Sequence, residues 1–262
     1  MQYRNLWIGL FVVIVSSFAV LGYYGVEIYR KAPPIPERVV TASGTVLFTG
    51  QDIRDGQNVW QSTGGQQMGT VWGHGSYVAP DWSADFLHRE AEWLLAHWAQ
   101  SDYGAKAYAD LDAETRAALK ERLKKEIRTN TYDANSGDLV VSDLRAEAIA
   151  AVSEHYKLLY GGDESLAELR DAYAIPKNVL PDPARRDDLA AFYFWTSWAC
   201  GTNRPGTEIT YTNNWPPEPL LDNRPTAAIL VWSVLSFIAL LAGIGLLSWY
   251  YVMEKAKPEE ES

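Results

Sequence analysis

The chain has 262 residues, a formal net charge of −10 and a single cysteine, Cys200. So acidic a chain does not bind a phosphate backbone by counterion release, and nucleic acid is excluded as a partner. One thiol excludes an intrachain disulfide, a cysteine-based zinc site and thioether attachment of a haem. Residues 6–26 and 227–253 form two uncharged runs of 21 and 27 residues, each long enough to cross a hydrocarbon core of about 20 residues. The first run exceeds the apolar stretch of a signal peptide, and no small-residue cleavage site follows it before Glu27, so it reads as a retained anchor. Trp7, Tyr23 and Tyr24 flank the first span, and Trp232, Trp249, Tyr250 and Tyr251 lie towards the ends of the second, where amphipathic rings suit the membrane interface. Arg4 before the first span and Lys255 and Lys257 after the second place both tails, 1–5 and 254–262, in the cytoplasm, while Arg30 and Lys31 argue the other way. Region 27–226 then lies outside, in a bacterial periplasm or its equivalent, and residues 259–261 are a solubilising acidic tail.

Within that region, KAPPIP from Lys31 is a stiff extended linker. A helix is expected from about Asp52, and the glycine-rich stretch 64–76 reads as loop. From Trp82 apolar residues recur every three or four positions, with Ser83 as cap, and a charged helix follows over 112–128. Residues 131–141 contain DANSGD, a hairpin-like turn between short strands. Ser142 caps a helix reaching Tyr160, and the apolar cluster 189–200 follows Pro183 and is ended by Gly201 and Pro205. The expected class is mainly α: two transmembrane helices flanking a domain of three or four helices with a small β-hairpin.

The usual reactive groups fail their tests. His74, His88, His97 and His155 are the only histidines, and none lies in a span. The first span has no histidine, methionine or cysteine, and the second has only Met253 at its edge, so neither offers axial ligands to an intramembrane haem. His88 and Glu92, four apart, face one another on a helix, whereas His88 and His97 lie on different faces; polar surface residues explain them better than a metal site. Cys200, beside Trp198, reads as a small buried hydrophobe without a base to activate it. The charged run 119–128 is a solvated face with (i, i+4) pairs. Trp60, Trp72, Trp82, Trp93, Trp98, Trp195, Trp198 and Trp215 lie outside the spans and divide between core and interface.

The stretch GQNVWQSTGGQQMGTVWGHGSYVAPDW from Gly56 has the rhythm of a covalent haem site in a c-type cytochrome, but lacks C-x-x-C-H. With GYYGVEIY, APPIP, VVTASG, YTNNWPPEP and the two spans, it resembles the N-terminal region of quinol-dependent nitric oxide reductases of the haem–copper oxidase superfamily. That resemblance covers nearly the whole chain and implies an extracytoplasmic cytochrome-c-like domain without haem. Set against the haem-bearing subunit of the cytochrome-c-dependent relatives, Gly65 and Met68 stand where the cysteines would be, and Gly69 where the histidine would be. In those relatives the following loop gives backbone oxygens to a calcium shared with the large subunit; Gly75 and Tyr77 correspond by position, and an ordinary tight turn explains them equally well. The resemblance implies a large haem-bearing, multi-span partner holding haem b, haem b3 and non-haem iron, with the lipid bilayer around both.

None of the family's catalytic positions is present, so the chain is expected either to be half of a split reductase or a fragment of a longer one. Two rival functions fit the same residues: a component of a nitric oxide dismutase-like complex, and a free-standing membrane-anchored binding or sensor domain.

Overall fold

The structure is a computed structural model that describes residues 2–255. Lys257 and the acidic tail 259–261 lie outside the described residues. Helix α1 (Gln2–Arg30) and helix α8 (Ala227–Lys255) are the candidate spans, and neither is covered by the rest of the chain. Both extend beyond the uncharged runs 6–26 and 227–253, because helical hydrogen bonding continues into the charged flanks. Between them lie β1 (Arg38–Thr41), β2 (Val46–Thr49), α2 (Gly50–Ser62), α3 (Trp82–Tyr103), α4 (Ala113–Arg128), β3 (Asp138–Val141), α5 (Asp143–Gly161), α6 (Ala167–Ala172) and α7 (Pro183–Gly201). The intervening region therefore holds six helices among the described residues, where the sequence suggested three or four; the short α6 has no periodic signature of its own.

α7 organises the core. Every residue over 189–201 is buried, as expected of a helix surrounded on all faces rather than one with an apolar stripe. Pro183 at its first turn and the Asp182 carboxylate on Ala184 N (3.0 Å) start it. α2, α3 and α5 pack around it. At the α2 crossing, a β-carbon on Gly56 would fall 1.9 Å from the Asp188 carbonyl, so only glycine lets the backbones approach this closely. Cys200 is buried here, its Sγ on Ser197 O at 3.2 Å, and burial pushes the thiol's pKa well up, as befits an inert core residue.

Two expectations are corrected. The hairpin-like turn at 131–141 is present, but only its second arm, β3, is a strand. The hairpin within the sheet is formed by β1 and β2, with Gly44 in the turn at φ +91°, and β3 joins β1 in parallel to give the order β2-β1-β3. Residues 131–141 do turn, through Gly137 N on Asp133 O (2.8 Å), but only one antiparallel bridge, Tyr132 to Leu139, follows. One edge of β3 is taken by β1, and in the segment before it the Asn130 side chain accepts from Tyr132 N (3.0 Å). Caps also move: Thr49 caps α2 with Asp52 reciprocating from the third position, and Asp81, not Ser83, caps α3. Asp112 and Ser142 cap α4 and α5.

Two titrating groups on this frame oppose each other. Burial first, then the Arg89 charge, holds His155 down at about 4, and its Nε2 is buried without a partner. Its folded pKa lies below the ordinary 6.5, so its contribution is full above about 6.5 and is lost as pH falls towards 4. Burial first, then Asp52, Asp55, Asp187 and Asp182, raises Asp188 to about 6. That contribution is full below about 4 and is lost as pH rises through 6. Urea midpoints from pH 4 to 7 should fall towards acid in Asp188→Asn and fall towards neutrality in His155→Gln. Parallel profiles in the two variants would contradict both assignments.

Candidate functional site

The loop between α2 and α3 is built on glycine and aspartate. α2 stops at Ser62, and Gly64 (φ +110°) and Gly65 (φ +53°) turn the chain into a single 3-10 turn. The Met68 side chain folds back over Gly64 and packs against the main core. Gly69 (φ +154°) lies flat on Trp82: a β-carbon there would sit 2.2 Å from the indole Nε1. Trp60 donates its Nε1 to Gly69 O at 3.2 Å. Of the positions matched to the haem-attachment residues, Met68 and Gly69 thus lie against packed side chains, while a β-carbon on Gly65 would meet nothing within 4 Å. Trp82 is fully buried, stacks on Tyr193 at 5.4 Å and meets Tyr156, Tyr160 and Tyr173 edge-on.

Asp81 fixes the rest of the loop. Its Oδ2 accepts from Thr70 Oγ1 (2.7 Å) and Gly73 N (2.6 Å), while Oδ1 accepts from Ser83 N (3.0 Å) and Ala84 N (3.1 Å). One carboxylate therefore caps α3 and closes the loop, and Thr70 Oγ1 in turn accepts from Gly75 N at 2.8 Å. Trp72 is held at a left-handed φ of +54°, a conformation costing on the order of 1 kcal/mol. It is fixed by Nε1 donating to Thr196 O (2.8 Å) and by its ring on Trp195 (5.4 Å).

Beyond Trp72 the loop turns outward. His74 lies against the Trp215 ring at 4.6 Å, and Trp215 Nε1 donates to Gly73 O at 2.9 Å. Gly75 is left-handed at φ +88°, Ser76 N closes on Ala79 O (3.0 Å), and Tyr77 is fully exposed. The carbonyl oxygens of Gly75 and Tyr77 accept no hydrogen bond among the described residues. This loop adjoins the end of α1: Trp72, with Tyr211 and Arg204, shares a cavity of about 530 Å³ with Tyr24, Glu27 and Ile28. Trp195 Nε1 donates to Pro34 O (2.9 Å), tying the linker after α1 to α7.

Residues 36–217 match the family described as the NorB cytochrome c-like domain of nitric oxide reductase. The chain belongs to that family. The nitric oxide reductase domain matched takes in the sheet, the glycine loop, all of α7 and the Trp215 segment, and the two apolar helices on either side make this a membrane protein. No curated protein matches the chain.

The other sequence-nominated residues separate. His88 does meet Glu92 (Nε2 to Oε1, 3.3 Å), but its Nδ1 also meets buried Glu218 at 3.0 Å, a partner 130 residues away with no local signal. His97 stacks on Trp93 at 5.1 Å. No cluster of three or more histidine, cysteine or acidic side chains able to hold a metal occurs among the described residues. Trp60, Trp82, Trp98, Trp195 and Trp198 are core, whereas Trp72, Trp93 and Trp215 are partly exposed.

Proposed function

We propose that the chain is the non-catalytic part of a quinol-dependent nitric oxide reductase, serving the reduction of two nitric oxide molecules to nitrous oxide and water. α1 and α8 pack against a large haem-bearing, multi-span partner in the bacterial inner membrane, and the domain caps it on the periplasmic side. The observation that carries this reading is the indole of Trp82 lying against Gly69. A cytochrome-c-like frame is retained while its centre is filled with packed rings, and surface contact remains as the domain's use. Haem b, haem b3 and non-haem iron belong to the partner in this reading.

The residues of the exposed loop fit a shared calcium as part of a donor set. Gly75 and Tyr77 offer two backbone oxygens that nothing else engages, and calcium takes about six to eight oxygen ligands. The partner supplies the others. Asp81 and Thr70 hold the loop as far as Gly75.

Purification from native membranes in mild detergent, followed by a visible spectrum and identification of co-purifying polypeptides, tests the reading. A b-type haem spectrum with a large hydrophobic partner is expected; a colourless chain purifying alone would overturn it. On α8, Ala239 and Gly243 form a small-x-x-x-small pair, and no atom lies within 4 Å of a β-carbon placed on Gly243. Gly243→Leu should lower recovery of the partner several-fold on an affinity column, and equal recovery would show that another face of α8 makes the contact.

A further inference from the structure

A second cavity, of about 440 Å³, opens where α4, the end of β3 and the start of α5 meet, and none of its lining residues belongs to the loop described above. Arg122, Lys125, Arg145 and Glu126 line it; Arg122 is paired with Asp102 at 2.7 Å and Arg145 with Glu90 at 2.6 Å, which leaves Lys125 as the lining cation without an ion pair among the described residues. Arg145 is 2% exposed, and its guanidinium is only partly used. Nε donates to Glu90 Oε1 at 2.6 Å, Nη1 reaches Glu126 O only at 3.5 Å, and Nη2 is buried with no partner. The Lys125 ammonium makes no ion pair or hydrogen bond among the described residues.

The hydroxyl groups at the cavity have already spent their protons. Thr129 Oγ1 donates to Lys125 O (2.6 Å), Thr131 Oγ1 to Val140 O (2.5 Å) and Ser142 Oγ to Glu126 Oε1 (2.5 Å). The donors left without an acceptor at the cavity are the Lys125 ammonium and the buried Arg145 Nη2, among the described residues. Ser142 is also the N-cap of the 19-residue α5, so the positive end of that helix opens onto the same space. A buried guanidinium nitrogen left without an acceptor is expensive, and an anionic oxygen is the acceptor that the charge around it favours.

We propose that this cavity is a binding site for a small oxyanion, of the phosphate type, engaged by Arg145 Nη2 and Lys125 at the start of α5. The anion is either free in solution or carried on a lipid as its phosphate. The test uses the full chain in nanodiscs of neutral lipid, with unfolding of the domain followed by tryptophan fluorescence against sodium phosphate, and sodium chloride at matched ionic strength as reference. Phosphate should raise the unfolding midpoint saturably, and Lys125→Gln, a change at an exposed side chain, should weaken the apparent affinity about ten-fold or more. No rise beyond that in chloride, or equal affinity in Lys125→Gln, would overturn the proposal and leave a water-filled cavity. Nanodiscs containing phosphatidylglycerol separate the sources. Loss of the phosphate response there identifies lipid phosphate as the occupant, and its persistence identifies the free anion.

Discussion

Replacing Glu90 with leucine is expected to destabilise the domain by about 3–5 kcal/mol, the range for breaking one half of a buried ion pair. Glu90 on α3 is 0% exposed and Arg145 on α5 is 2% exposed, and their Nε–Oε1 contact of 2.6 Å joins two helices that both pack on α7. Most of the loss comes from the guanidinium left behind rather than from the attraction removed, since a charge without its counter-charge must stay desolvated or drag water inward. The double change Glu90→Leu/Arg145→Met, which removes both charges and keeps the volume, should recover most of the stability. Denaturant midpoints of the full chain in detergent decide it. A single change costing less than about 1 kcal/mol would mean that water reaches the pair as freely as a surface one.

Gly69→Ala is the second large effect, with an expected loss of about 3–5 kcal/mol from overpacking added to a backbone conformation that side chains disfavour. The new methyl would stand 2.2 Å from Trp82 Nε1 and 2.4 Å from Cε2, at φ +154°. Trp82 cannot withdraw, because Tyr193 stacks on it and Tyr156 and Tyr160 hold its edges. Shortening the ring with Trp82→Phe should make room, so the double variant should lose less than the two single changes together. Strict additivity would show that the backbone, not the indole, sets the penalty. The neighbouring Gly65 has open space around it, so the intolerance at position 69 is specific to this contact.

Much of the frame was legible because its signals are local. The spans show as uncharged length, α4 and α5 announce themselves through Asp112 and Ser142, and α7 is bracketed by Pro183 and Gly201. The sheet was legible only in β3, which falls within the strands expected over 131–141; β1 and β2 have four residues each, too few for alternation to stand out, and the parallel pairing of Arg38 with Asp138 spans a hundred residues. Asp81 was within reach: an aspartate just before an apolar-periodic run is as good a cap signal as the serine two residues on. Its second role, closing the loop through Thr70 and Gly73, is tertiary and leaves no trace in spacing. Gly75 and Tyr77 were nominated by resemblance alone, and nothing in their own pattern gives the hydrogen bond from Gly75 N to Thr70 Oγ1 or the one from Trp215 Nε1 to Gly73 O just before them.

The all-round burial of α7 has a consequence for how the protein reaches its place. In the proposed topology the whole intervening region is threaded outward during synthesis, and α7 emerges among its last segments. Residues 189–201 carry no charge over thirteen positions, yet a run of about 10–14 is too short to lodge across the bilayer. Four charged residues, Arg185 to Asp188, immediately precede it and discourage lateral escape into lipid. α7 can therefore be exported while α8, more than twice as long in uncharged residues, halts the chain. Until α7 arrives, α2, α3 and α5 lack the surface on which they pack.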